Sequence, residues 1–326
     1  MLDKRLSNQM ALLESTNINI PSTLIKRGKS EKNDATSRLR MRESKEMVFK
    51  GIFLISSLLS VVVVILISAF IFKEGLPFFK SVSVPEFLFN TRWKPSSDNP
   101  SYGVLSFVLA SAEVTLLSLI FALPISLLSA IYLSMYAKDR SANVIRSTVE
   151  LLQGIPSVIY GILGIAIVVP VVRRLFGGNG YSLLSASIVL SIMIMPTIIN
   201  VSESSIRAVG EDIKLGSIAL GANDFQTITR VVLPSAFKGI MTSIILALGR
   251  AIGETTAVLL VFGNAPLFPK GLTSMGRTLT MNIVTDMSYA EGVHMNALFA
   301  SSMLLFISIL ILNFIVVALT HKGRKR

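Results

Sequence analysis

The sequence has no cysteine and only two histidines, His294 and His321, among 326 residues. Disulfides and thiolate metal sites are excluded, and two histidines alone do not make a multi-histidine metal centre. Charge is also scarce: 15% of residues are Asp, Glu, Lys or Arg, against 52% that are hydrophobic. A soluble domain rarely carries that balance, whereas apolar runs of about 20 residues suit a bilayer core roughly 30 Å thick. There is no G-x4-GK[ST] phosphate loop and no H-E-x-x-H helix motif. Serines inside apolar stretches, such as Ser157 and Ser191, have no nearby histidine base and read as donors to backbone carbonyls. An intramembrane hydrolase is therefore a poor fit.

What is present is six apolar segments, at about 51–72, 103–136, 151–172, 183–200, 240–263 and 297–319. The second is longer than one bilayer thickness and reads as one helix bent at Pro124 and extending past the membrane. The organisation is a polar basic tail (1–47), a first span with an external loop (48–101), a core (102–320) and a short basic tail (321–326). The first tail has no apolar core near its start, unlike a cleaved signal peptide. Much of it reads as disordered, with a possible short helix over 7–15. The two tails together carry +8 of the formal net charge of +12. Six crossings put both ends on one side, and basic flanks mark that side as cytoplasmic. Loops 73–102, 173–182 and 264–296 then face out, and 137–150 and 201–239 face in. Lys138, Arg140 and Arg146 agree with this; Arg173 and Arg174 on a short outer loop count against it.

One inward segment is unlike the rest. Residues 213–234, IKLGSIALGANDFQTITRVVLP, look like a soluble helix–turn–helix between two apolar spans. A short helix over 213–220 ends at Gly221, where glycine permits a reversal. Asn223 is a good N-cap and Gln226 completes a capping box. A second helix then carries Phe225, Ile228, Val231 and Val232 along one face, with Pro234 following its end. Leu215, Ile218, Leu220 and Phe225 would be available to a groove on another protein. An ordinary amphipathic loop followed by a Leu-Pro helix start is the plainer alternative, and these residues alone leave both open.

The motifs resemble the membrane subunits of ABC importers. Gly221, nine intervening residues, then Val231, Leu233 and Pro234 follow the G-x9-[IV]-x-L-P pattern that closes their cytoplasmic coupling loop. The core from about Tyr102 to Thr320 is similar to phosphate importer permeases, and to the C-type more than the A-type. The resemblance is carried by Tyr102-Gly103, the string from Ile155 to Gly161, Met195-Pro196 and above all Gly249-Arg250-Ala251-Ile252-Gly253-Glu254-Thr255. In the wider family a Glu-Ala-Ala triplet precedes the coupling glycine; here Leu215-Gly216-Ser217 stands in its place, without the acid.

The resemblance implies an all-α membrane protein with six transmembrane helices in the type I (MetI-like) permease fold, with a cytoplasmic coupling helix in loop 207–238. It implies ATPase coupling through Leu215, Gly216, Ser217, Gly221, Ala222, Asn223, Asp224, Phe225, Leu233 and Pro234. Implied partners are a homologous A-type permease, two copies of a cytoplasmic ATPase that holds ATP and Mg, an external phosphate-binding protein and inorganic phosphate. The chain itself needs no cofactor and is not an enzyme, and it belongs in a bacterial inner membrane. A permease for sulfate or molybdate, or the A-type partner, is the alternative. A secondary anion transporter or channel using Arg250 and Glu254 alone is a further one.

Charges inside spans are costly and so informative. Arg250 and Glu254 are four residues apart, near enough on one helical face to pair. They form either a structural ion pair or a polar stripe along the translocation path, where Arg250 attracts an oxyanion and Glu254 limits its grip. Glu113 could pair across the bundle or face a water-filled cavity. Gly249 and Gly253 make a G-x-x-x-G face that would let another helix approach. Pro124, Pro156, Pro170 and Pro196 would break local backbone bonds, although packing alone could explain each.

Overall fold

A computed structural model describes residues 22–322. The short helix expected over 7–15 lies outside the described residues, as do the last four residues. The chain divides into two compact units, 1–68 and 69–326. The described part of the first is helical throughout, within a helix α1 that runs over Ser22–Gly75. Residues 22–47 are therefore helical rather than disordered, a correction to the compositional reading. Within that unit the β-branched run 61–65 stays helical with exposed side chains, as an apolar helix does when lipid is its solvent.

The second unit holds the bundle. After a 3-10 turn (Leu76–Lys80) and helix α2 (Val84–Phe89), strands β1 (Trp93–Lys94) and β2 (Ser101–Tyr102) pair antiparallel. The stretch expected to be a loop thus has its own small core: Phe78, Phe87, Trp93 and Tyr102 are buried and meet edge to face. Helix α3 (Leu105–Met135) keeps Pro124 in its interior. Ala110, Val114, Ser118, Ala122, Ser126 and Ala130 recur every fourth position and are all buried. Small residues at that spacing bring backbones close, which drives association where lipid is as apolar as leucine. Their main partner is α7 (Leu183–Arg207), the central helix, which continues past the expected end at 200.

The third span differs from its expected bounds of 151–172. Helix α4 (Asp139–Gly154) is amphipathic and takes up the expected loop 137–150 together with residues 151–154. The chain breaks at Ile155-Pro156, because proline forces its predecessor into extended backbone. The span itself is α5 (Ser157–Leu163), a π turn (Gly164–Val168) and α6 (Val169–Phe176), whose last turn holds Arg173 and Arg174. Then come α8 (Glu211–Ala219), α9 (Asp224–Thr227), α10 (Leu233–Gly253), α11 (Thr256–Phe262), α12 (Leu279–Asp286) and α13 (Val293–Lys322). Among the described residues, six helical stretches are long and apolar enough to cross a bilayer. The architecture is that of an all-α, multi-pass membrane protein.

Glycine sets one close approach. An added Cβ at Gly239 in α10 would collide with the Ser205 side chain of α7. Ser202 and Ser243, hydroxyl to hydroxyl at 2.8 Å, cross the same contact. Gly249 and Gly253 have open space above them, with nothing within 4 Å. The close helix contact expected of the G-x-x-x-G face is therefore not made among the described residues.

Candidate functional site

The coupling segment is closed at both turns by its own backbone. Gly221 adopts φ +88°, a conformation that a Cβ makes costly. Its N–H donates to Ile218 O (2.9 Å) and that of Ala222 to Ser217 O (3.2 Å), which satisfies the last carbonyls of α8 in the Schellman manner. An added Cβ at Gly221 would meet nothing within 4 Å, so the demand for glycine comes from φ and not from crowding. Asn223 Oδ1 accepts from the Gln226 N–H (2.8 Å) and Gln226 Oε1 from the Asn223 N–H (3.1 Å), a complete capping box. Ser217 and Thr227 join the two short helices through their hydroxyls at 3.1 Å. Gly216 is likewise open, and Asp224 lies in the first turn of α9, where the helix dipole favours an acid.

This fold leaves apolar side chains uncovered. Leu215 is 57% exposed, Leu220 92% and Phe225 72%. Ile228 is instead buried, and Val232 packs inward with Ala130, Ile206 and Val209. Phe225 therefore does not share their face. A cleft of about 550 Å³ beside the turn is lined by Gly216, Ser217, Leu220, Gly221 and Gln226.

Leu233 and Pro234 do not end a helix, contrary to expectation. The helical path is continuous from Asp224 to Gly253, passing through a π turn at Ile228–Val232. Pro234 lacks an N–H and its ring crowds the carbonyl four residues back; a π turn widens the backbone where that carbonyl lies. Coupling helix and fifth span are one rod.

The rod stops short of the expected 263. Glu254 is extended (φ −72°, ψ 129°) and a separate half-helix, α11, follows. Its Oε1 accepts the Ala257 N–H at 2.9 Å, capping α11, and its carbonyl accepts from Thr280 Oγ1 at 3.1 Å. Because the helix ends at Gly253, the four-residue spacing no longer sets Arg250 and Glu254 on one face, and no ion pair joins them. Arg250 is half-buried and, among the described residues, makes no hydrogen bond or ion pair. The Tyr160 hydroxyl donates to Leu152 O at 2.6 Å.

Two polar clusters escaped sequence reading. Glu203 Oε1 accepts from Arg146 Nε (2.7 Å) and Arg207 Nη2 (2.6 Å), tying α4 to α7 just before the coupling segment. Asp286 accepts from Trp93 Nε1 (2.8 Å), Arg277 Nη1 (3.0 Å) and the Tyr289 hydroxyl, with His294 Nε2 at 3.4 Å. Burial first, and then its bond to Asp286, hold the Tyr289 phenol above its ordinary pKa. The partners of Asp286 lie up to 193 positions apart in sequence, so no local motif announces them. No group of three or more His, Cys, Asp or Glu suited to a metal ion occurs among the described residues.

Residues 122–325 match the family described as "Binding-protein-dependent transport system inner membrane component". The chain belongs to this family. It is a permease subunit of an ABC importer. It is 35% identical over 271 residues to a probable ABC transporter permease protein, YqgH, of Bacillus subtilis, covering 82% of this chain and 88% of that one. It is 32% identical over 241 residues to the phosphate transport system permease protein PstC of Pasteurella multocida, covering 68% and 75%. Solved structures agree on the fold. A chain of a bacterial alginate ABC transporter superposes with TM-score 0.55 at 16% identity, covering 81% of this chain and 92% of that one. One from the MetNI methionine ABC transporter, in an inward-facing conformation, gives TM-score 0.51 at 18% identity, covering 68% and 94%.

Proposed function

We propose that this chain forms half of the translocation path of an ATP-driven phosphate importer and receives the ATPase stroke through α8 and α9. The observation that carries the reading is the unbroken helical path from the coupling turn to Arg250. One end offers exposed Leu215, Leu220 and Phe225 to a groove, and the other holds a cation with no hydrogen-bond or ion-pair partner among the described residues. An aromatic anchor in an apolar pocket is a usual hot spot. Irregular backbone at Glu254 suits a span that borders a cavity, where broken helices are tolerated. Arg250 would attract the anion, and Glu254 would hold the break open while keeping one carboxylate oxygen toward the path.

The partners in this reading are an A-type permease, two ATPase copies that bind ATP and Mg, and an external phosphate-binding protein. Both termini and loop 201–239 are cytoplasmic. Phosphate is favoured over sulfate or molybdate by the similarity to phosphate transport system permease proteins, PstC of Pasteurella multocida and of Haemophilus influenzae. The test is uptake by the assembled transporter of labelled phosphate, sulfate and molybdate. Phosphate uptake alone is expected, with Arg250→Gln reducing it at least tenfold while assembly is unchanged. Equal uptake by the assembled variant would overturn the role of Arg250, and sulfate or molybdate uptake would overturn the substrate.

A further inference from the structure

Glu113 is a charge within an apolar span that the transport reading does not use. It lies on α3 eight residues after Leu105, about 12 Å along the helix axis from its start. Among the described residues it makes no hydrogen bond or ion pair, although a carboxylate at that depth is costly to leave bare. It lines a cleft of about 490 Å³ together with Leu116, Leu117, Ile120, Phe268 and Lys270.

The cleft has a fixed wall and an order of polarity. Glu113, Leu116, Leu117 and Ile120 follow the i, i+3, i+4, i+7 spacing of one helix face. The carboxylate lies nearer the Leu105 end of α3, and the leucines and isoleucine follow it toward the middle of the helix. Leu116 and Ile120 are exposed on that face. Across the cleft, the loop carrying Lys270 is pinned by backbone bonds. The Leu183 and Leu184 N–H groups at the start of α7 donate to Ser274 O (2.9 Å) and Leu272 O (2.8 Å). The Lys270 N–H donates to Ser274 Oγ at 3.2 Å, and its ammonium side chain is exposed.

We propose that this cleft binds an aminophospholipid, phosphatidylethanolamine in chemistry, from the leaflet at the Leu105 end of α3. The lipid ammonium donates to Glu113, its phosphate accepts from Lys270, and an acyl chain covers Leu116 and Ile120. One acid and one base match a zwitterion, and neither an inorganic anion nor a free amino acid would cover the apolar wall. Phosphatidylcholine carries the same net charge, but its quaternary ammonium has no N–H to donate. Phosphatidylglycerol has nothing positive for Glu113. Charge-assisted hydrogen bonds are the strong ones, so the headgroup decides.

The test is native mass spectrometry of the purified transporter complex, exchanged against equimolar phosphatidylethanolamine, phosphatidylcholine and phosphatidylglycerol. It reads lipid retention and needs no transport, so it stands or falls apart from the phosphate reading. The wild type should retain phosphatidylethanolamine roughly tenfold over phosphatidylcholine, the factor expected of one such bond. Glu113→Gln should abolish that preference. Ile120→Trp, which fills the cleft and leaves both charges, should lower retention of all three lipids. Equal retention of the three by the wild type would overturn the proposal. So would disulfide capture of Leu116→Cys by a cysteine scanned along the partner permease, because a protein helix would then occupy the cleft.

Discussion

The coupling segment and the 264–294 region are finished in different ways. In the coupling segment the backbone is satisfied, through a glycine turn and a capping box, while the large apolar side chains stay bare. In the other region side chains converge on one carboxylate: Asp286 accepts from an indole, a guanidinium and a phenol, while Arg277 Nε, Asn282 Nδ2 and His294 Nε2 beside it make no hydrogen bond among the described residues. A surface whose backbone is rigid but whose apolar groups are open is suited to receive a partner. A surface whose charges are neutralised internally is suited to hold a shape.

That contrast is most sharply tested at the coupling turn. Combining Gly221→Val with Phe225→Asp should reduce uptake to background and release the ATPase on purification, with the chain still in the membrane. The left-handed φ at Gly221 costs a β-branched residue about 1–2 kcal/mol, too little to unfold the bundle. Retained ATPase at wild-type uptake would mean that the bare leucines and phenylalanine are not a docking face.

Asp286→Asn attacks the Asp286 cluster. It removes the negative charge that Arg277 faces in a buried site, and stranding a buried charge costs about 3–5 kcal/mol. The expected outcome is a clear drop in thermal unfolding temperature in detergent, with ATPase binding preserved in whatever remains folded. Unchanged melting would show that the network is ornament to this fold.

The smallest effect is expected at the helix break. Glu254→Ala removes the cap on α11, a loss of about 1 kcal/mol. Melting should barely move, while hydrogen exchange at the Ala257 amide should accelerate. If that amide stays protected, the carboxylate is not what holds the half-helix.

Much of this was legible in the sequence, for stated reasons. Spans announce themselves because hydrocarbon demands length and apolarity together, and all six appeared near their places. The coupling turn was legible to the residue, since Gly221, Asn223 and Gln226 act on neighbours within one turn. The interruption at Glu254 was not, because Gly249 to Phe262 is apolar enough to read as one helix; the cap and the Thr280 contact that favour the break are tertiary. Pro234 misled in the other direction. Proline ordinarily marks an end, but the π turn before it lets the helix pass. The Asp286 cluster and the Arg146 arm of the Glu203 clamp join distant segments, which no spacing encodes, whereas Glu203 and Arg207 stand four residues apart on one helix.

The break at Glu254 also says where mechanical motion would cease. The path from Asp224 to Gly253 is 30 residues, roughly 45 Å of stiff rod. A tilt of about 5° pivoting at its coupling end would swing the far end by roughly 4 Å on that length. Arg250 rides on the last turn of the rod, whereas Glu254 is tied to α11 and Thr280. The two side chains would thus behave as the moving and fixed jaws of a clutch, engaged or parted by an angle set at the other face of the membrane.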